Sequence, residues 1–230
     1  MHGHLLVIGP WSFAAFVRHC SDIRVESATV SCVRIIAGEF RGRTLLAPQR
    51  EITRPITDRA KQSLFDILNP LLPGADVYDI FSGTGSLGLE SLSRGAKSAT
   101  FFEIDRSAIA RLSQNISALQ VSERSRIVQG DVFRWFELSI RRPDSTHASG
   151  ADVAFLDPPY RFLQERSDEI LQLVLNLTHS HLRPISVVIF RHDGKDRLPL
   201  PNLEVFDVRE YGDMMIELLK PTPKAQSEPT

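Results

Sequence analysis

Val77-Tyr78-Asp79-Ile80-Phe81-Ser82-Gly83-Thr84-Gly85-Ser86-Leu87-Gly88 decides the fold. A β-prone run that breaks into Gly-x-Gly-x-x-Gly reads as a strand, a tight turn and the first residues of a helix. An open α/β sheet uses that turn to hold a nucleotide-like cofactor. Gly83 and Gly85 allow the backbone to press against a ligand, and Gly88 lets the helix pack closely on the sheet. Nicotinamide and flavin enzymes share the glycine pattern, so the residues before it matter. Asp79 and Phe81 stand at the strand end, where a pyrophosphate would be repelled by the acid but an amino group would be held.

Working outward, the apolar segments alternate with helical patterns. Strands are predicted near 76–81, 98–104, 125–130, 151–157, 185–191, 203–209 and 213–219, and helices over 86–94, 106–119, 132–138 and 163–175. This is an α/β chain with a Rossmann-like, mostly parallel sheet. The last two strands are joined too tightly for a crossover and must form a C-terminal antiparallel hairpin. Such a closing hairpin is usual in S-adenosylmethionine-dependent methyltransferases. In front lies an appendage of a β-hairpin, Arg34–Ala37 with Arg43–Leu46, and a helix capped by Thr57 or Asp58 and ended by Asn69-Pro70.

Two further acids follow the cofactor logic. Glu103 closes the next strand about 20 residues on, where a carboxylate can hold both ribose hydroxyls, and Ile104 can pack on an adenine face. Asp105 reads as the cap of the following helix. Asp131 ends the third strand and can accept from the adenine amine while the Val132 N–H bonds a ring nitrogen; its other reading is a plain helix cap.

Asp157-Pro158-Pro159-Tyr160 follows the apolar run Ala151–Leu156. An acid and a carbonyl there can accept both N–H groups of an exocyclic amine, whose delocalised lone pair makes it a poor nucleophile. The prolines remove competing donors, and Tyr160 can stack on a base that is unpaired or flipped out. The two motifs together point to methyl transfer from S-adenosylmethionine to nitrogen.

Composition narrows the setting. The 230 residues are 42% hydrophobic and 24% charged with a net charge of −1, ordinary for one core of this size. Between Val33 and Lys61, seven basic residues face three acidic ones, a surplus of four that leaves −5 elsewhere. That asymmetry predicts a basic arm on a neutral to acidic body, with Arg34, Arg41, Arg43, Arg54 and Arg59 as RNA contacts. Cys20 and Cys32 are the only cysteines, which suits a reducing cytoplasm. His179 and His181 lack ligand partners, so no metal is expected. Leu5–Val17 is too short for a membrane span.

The series Arg34-Ile35-Ile36-Ala37-Gly38, Arg41-Gly42-Arg43 and Arg54-Pro55-Ile56-Thr57-Asp58-Arg59, placed before the glycine and Asp-Pro-Pro-Tyr motifs, resembles the RsmD family. These are bacterial small-subunit rRNA guanine-N2 methyltransferases. The resemblance covers about Val33 to Lys220. It implies methylation of the N2 amine of the guanine conventionally numbered 966 in 16S rRNA, with the small ribosomal subunit as partner. By matched position it assigns Asp79, Gly83, Gly85, Glu103 and Asp131 to the cofactor and Asp157 to Tyr160 to the base.

Four segments are expected: an extension over 1–32 outside the family pattern, a basic RNA-binding appendage over 33–70, a methyltransferase domain over 71–220, and a disordered tail over 221–230. The extension is expected to be dispensable, as if a start had been assigned upstream of the working chain. Adenine N6 methylation stays open, because its amine suits the same turn. The short spacers leave no room for a DNA target-recognition domain. A protein glutamine methyltransferase usually carries Asn where this chain has Asp157. A cofactor-binding assembly factor without catalysis is the remaining alternative.

Overall fold

The computed structural model describes residues 33–48, 56–141 and 150–223. Residues 1–32, Arg54 and most of the C-terminal tail therefore lie outside the described residues. Within them a two-residue ladder pairs β1 (Val33–Arg34) with β2 (Thr44–Leu45), and α1 (Asp58–Leu68) follows. The Thr57 side chain caps α1 by accepting from the Ala60 N–H at 3.3 Å. Its apolar face buries Ala60, Leu64, Phe65 and Leu68. Asn69-Pro70 ends the α-helix as predicted, though the chain makes one 3-10 turn, Asn69–Leu71, before leaving.

A seven-stranded sheet follows, built from β3 (Asp76–Ile80), β4 (Ser98–Glu103), β5 (Ser125–Gln129), β6 (Ala151–Leu156), β7 (Leu182–Asp193), β8 (Leu203–Tyr211) and β9 (Met214–Pro221). Its order is β5-β4-β3-β6-β7-β9-β8. The first five are parallel, and β9 runs antiparallel to both β7 and β8, as the short final connection requires. The helices between them are α2 (Ser86–Ser93), α3 (Arg106–Ala118), α4 (Val132–Arg141), α5 (Phe162–Glu165) and α6 (Ser167–Ser180). The chain starts at β3, winds outward through β4 and β5, then returns to β6 on the other side of β3. That reversal opens a crevice at the carboxyl ends of β3 and β6.

One predicted helix is two. The apolar period through Leu163, Ile170 and Leu173 spans 163–175, but Arg166 leaves the helical region (φ −138°, ψ 31°) and separates α5 from α6. Its guanidinium pairs with Glu169 at 2.6 Å and lies over the Phe133 ring at 4.2 Å. Strand β7 also begins earlier than expected. Its pairing with β6 shifts between Ala151 and Val153, and Ile185 is left 92% exposed below the regular ladder.

Two apolar layers sandwich the sheet. One joins Ile35, Leu45 and α1 to Leu89, Phe101 and Phe155; the other packs Phe102, Phe136, Phe190 and α6. The front segment is thus part of the first layer rather than a free arm. Glu90 of α2, fully buried, anchors it through Oε2 accepting from the Ile36 N–H (2.7 Å) and Oε1 from the Ala37 N–H (3.0 Å). The same carboxylate meets Lys61 Nζ at 3.2 Å and Arg94 Nε at 2.9 Å, both cations buried. Burial pulls the Lys61 ammonium below its ordinary range, opposed by Glu90. Gly38 (φ 84°) lies so close to α2 that a Cβ would stand 1.9 Å from the Ser93 carbonyl oxygen. From α3, Asn115 accepts from the Leu46 N–H (2.8 Å) and donates to the carbonyls of Leu46 (3.3 Å) and Thr84 (3.0 Å).

These contacts revise the charge reading. Lys61, counted in the basic surplus, is an interior group. Arg34 pairs with Asp58 at 2.7 Å, so Asp58 serves Arg34 rather than the Arg59 beside it. Arg43 Nη2 donates to the Ala118 carbonyl at 2.8 Å, closing the end of α3. Arg41 and Arg59 remain exposed. Among the described residues no helix is long and apolar enough to cross a membrane, and no group of three or more His, Cys, Asp or Glu is placed to hold a metal.

Candidate active site

Strand pairing brings the two motifs together. Ile80 pairs with Leu156, so the residues after each strand, Phe81 and Asp157, leave the sheet side by side; the Asp157 N–H lies 3.4 Å from the Ile80 carbonyl oxygen. Phe81 makes the exit in a left-handed backbone conformation (φ 64°), unusual for a bulky residue. Its ring packs 5.7 Å from Phe133 and 6.0 Å from Phe162, centroid to centroid, with Arg166 over the last two. This aromatic group walls the side of the crevice where α4 begins.

Asp79 lies beneath the glycine turn, 1% exposed, with Oδ2 accepting from the Gly88 N–H at 2.8 Å. Gly88 must be glycine: a Cβ would meet the Phe101 ring at 2.3 Å and Asp79 Oδ2 at 3.0 Å. Gly85 (φ 86°) caps α2 and presses on Leu112 of α3, so its smallness serves packing. At Gly83 a Cβ would meet nothing, and its backbone borders open space. Burial, reinforced by Asp157 and Glu103 and opposed by the Gly88 N–H, pushes the Asp79 carboxyl up to about 8.

That elevation has a measurable cost. The unfolded chain ionises Asp79 near pH 4, while the folded protein keeps the proton until about 8, so stability from this group falls as pH rises through that window. Asp79→Asn removes the dependence. Its unfolding free energy, measured without ligand, should exceed that of the parent by an amount that grows from pH 5 to pH 8, on the order of 3 kcal/mol at the top of the window. A constant difference across pH would contradict the assignment.

Glu103 follows on β4. Its Oε2 accepts from the Gly83 N–H at 2.7 Å and its Oε1 from the N–H groups of Ile104 and Asp105 at 2.8 Å each, which ties the glycine turn to the neighbouring strand. Ile104 is 63% exposed at the crevice mouth, and Asp105 caps α3 as predicted, accepting from the Ala108 N–H at 2.8 Å. Asp131 caps α4 through Oδ1, 2.9 Å from the Phe133 N–H, and its Oδ2 lies 3.8 Å from Arg166. The cap reading of Asp131 is therefore realised, with one oxygen turned to Arg166. Val132 is buried at the first position of α4.

Beyond Asp157, Pro158 is buried while Pro159 and Tyr160 are half-buried. Asp157 has a partner that the sequence reading missed. Arg191 of β7, its side chain 6% exposed, donates Nε to Asp157 Oδ1 at 2.6 Å. Burial works against its charge, but the Asp157 carboxylate holds the guanidinium above its ordinary range. A signal existed: Arg191 breaks the apolar run Val187–Phe190 at the carboxyl end of the strand beside β6.

The donor set suits a cationic, hydroxyl-rich ligand such as S-adenosylmethionine. Ser82 Oγ is buried with no hydrogen-bond partner, Asp79 is a desolvated acid, and the backbone at Gly83 faces open space.

Known proteins are similar to this chain in sequence and fold. Bacillus subtilis YlbH is 31% identical over 169 residues, 73% of this chain and 86% of its own length. Ribosomal RNA small subunit methyltransferase D of Haemophilus influenzae is 38% identical over 141 residues, covering 60% of this chain and 70% of that protein. Among solved structures, Escherichia coli yhhF superposes with a TM-score of 0.69 at 27% identity, over 83% of this chain and 98% of the other. The family model described as conserved hypothetical protein 95 matches residues 33–220, and the chain belongs to that family, the RsmD family its motifs resemble.

Proposed function

We propose that this protein methylates the exocyclic N2 amine of a guanine in 16S rRNA, using S-adenosylmethionine, during or after assembly of the small ribosomal subunit in the cytoplasm. The observation that carries the reading is the adjacency of Asp157 to the glycine turn across the β3–β6 pair, beside the buried acid Asp79. The names of relatives support it: two carry the small-subunit rRNA methyltransferase name at 36–38% identity. When bound, S-adenosylmethionine supplies a methyl group on an electron-poor sulfur.

The chain's own residues do the rest. Asp79 and Ser82 receive the amino acid portion, Gly83 gives it backbone, and Glu103 receives the ribose hydroxyls. Ile104, Val132 and Asp131 frame the adenine, with Phe81 behind. Asp157 and the Pro158–Pro159 carbonyls accept the N–H groups of the target amine, so its lone pair turns toward the methyl group. Tyr160 stacks on the extruded base, a contact worth roughly 1–3 kcal/mol.

The test is direct. Small subunits from a strain lacking the gene are incubated with the purified protein and cofactor, and the rRNA nucleotides are mapped by mass spectrometry. N2-methylguanosine at one position is expected. N6-methyladenosine would replace the nucleotide assignment, and cofactor binding in calorimetry with no methylated nucleotide formed would return the chain to the class of cofactor-binding, non-catalytic assembly factors.

RNA binding gives a second expectation. Arg34, Arg41, Arg43 and Arg59 are all exposed, but Arg34 and Arg43 have partners within the chain. Arg41→Ala with Arg59→Ala should lower the slope of log affinity against log salt by about 1.4–1.8, two phosphates' worth. Arg43→Ala should change the slope less and the melting temperature more. An unchanged slope in the double variant would make both arginines plain surface groups.

A further inference from the structure

We propose that Arg191 is a positioning residue that fixes one oxygen of Asp157 and makes a carboxylate, and not an amide, the group this site requires. The proposal rests on the methyl-transfer reading. Arg191 Nε meets Asp157 Oδ1 at 2.6 Å, and Arg191 Nη1 lies 3.7 Å from Met214 Sδ on β9. The guanidinium is thus set between β6 and β9 with its Nε–H given to the acid. Asp157 is only 15% exposed, so little water competes for its oxygens.

The consequence follows from hydrogen-bond inventory. A carboxylate only accepts, so with Oδ1 held by Arg191 its other oxygen still accepts from the target amine. As the reaction proceeds, the amine lone pair forms the N–C bond while the methyl–sulfur bond breaks onto sulfur. Positive charge grows on the nitrogen, the held carboxylate oxygen faces it, and the surplus proton then leaves for water. An amide at position 157 has one accepting and one donating end. Arg191 would draw the amide oxygen to itself and leave the NH2 facing an amine that also donates. Two donors would meet where one acceptor is needed.

The experiment compares the parent with Asp157→Ala, Asp157→Asn, Arg191→Met, Arg191→Lys and the double Asp157→Asn/Arg191→Met. Each is assayed by single-turnover methylation of small subunits, with cofactor calorimetry and thermal melting on the same preparations. Asp157→Asn should be nearly as slow as Asp157→Ala, a loss of roughly 10²–10³. In the double variant the amide is free to turn its oxygen to the amine, and turnover should recover at least about tenfold over Asp157→Asn while cofactor affinity stays level. Arg191→Lys, which keeps the cation but not the planar donor edge, should fall between parent and Arg191→Met.

A merely structural arginine would produce no such rescue. The double variant buries no unpaired charge, so the decisive comparison survives even if Arg191→Met alone does not fold. A double variant no faster than Asp157→Asn, or an Arg191→Met as fast as the parent, overturns the proposal. Parent-like turnover in Asp157→Ala is a different failure: it removes Asp157 from the chemistry, and with it the methyl-transfer reading of this turn.

Discussion

Asp157→Ala should lower single-turnover methyl transfer by roughly 10²–10³ while leaving cofactor affinity within about twofold. The argument is differential binding. The target amine is weakly polar in the ground state and becomes cationic as the new bond forms, so an acceptor facing it gains strength on the way to the transition state. Asp157 stands at the carboxyl end of β6 with Arg191 behind it, held in place before any substrate arrives. Preorganisation of that kind costs no reorganisation during the reaction. The proposed function gives cofactor binding to other acids, Asp79 and Glu103, and this separates the variants. Glu103→Ala should weaken the cofactor and free the Gly83 turn it now bonds. If Asp157→Ala turns over normally, the base site must be sought elsewhere on the crevice.

Glu90→Ala should destabilise the fold by about 3–5 kcal/mol, the range for removing one partner from a buried ionic group. The single carboxylate serves two buried cations and two backbone N–H groups of the front segment. Its loss leaves Lys61 and Arg94 charged in an apolar layer and strands the N–H groups of Ile36 and Ala37. Against a typical stability of about 5–15 kcal/mol this is a large fraction. Urea denaturation monitored at Trp135 checks it through the midpoint. Glu90→Gln should cost less, because the amide still accepts, and a loss under about 1 kcal/mol for Glu90→Ala would show that the network is dispensable.

What was legible in the sequence were the features written in local pattern. The glycine turn, the alternating elements and the final hairpin follow from periodicity and connection length, and all stand in the sheet order. Asp105 as a cap was readable from its place one residue before a helical period. Glu90 was not, since a lone acid in an apolar helix gives no hint that Lys61 and the amides of Ile36 and Ala37 converge on it from 29–54 residues away in the chain, beside the nearby Arg94. Arg191 was hidden for the same reason: its partner lies on another strand, 34 residues earlier. Net charge counts residues without their partners: Lys61 is buried beside Glu90, and Arg34 and Arg43, though exposed, each bond within the chain. The break at Arg166 was invisible because α5 and α6 share an apolar face across it.

The attachment of the front segment to α2 and α3 also bears on how the protein is made. Residues 33–46 are synthesised early, yet their anchors are Glu90, Ser93 and Asn115, the last 69 residues beyond Leu46. At a translation rate of about 5–20 residues per second, the hairpin waits roughly 3–14 s for its last anchor. A two-residue ladder cannot persist alone for that time. During every round of synthesis Arg34, Arg41 and Arg43 therefore emerge before the elements that fix their stretch, which takes its defined shape only when α3 has followed.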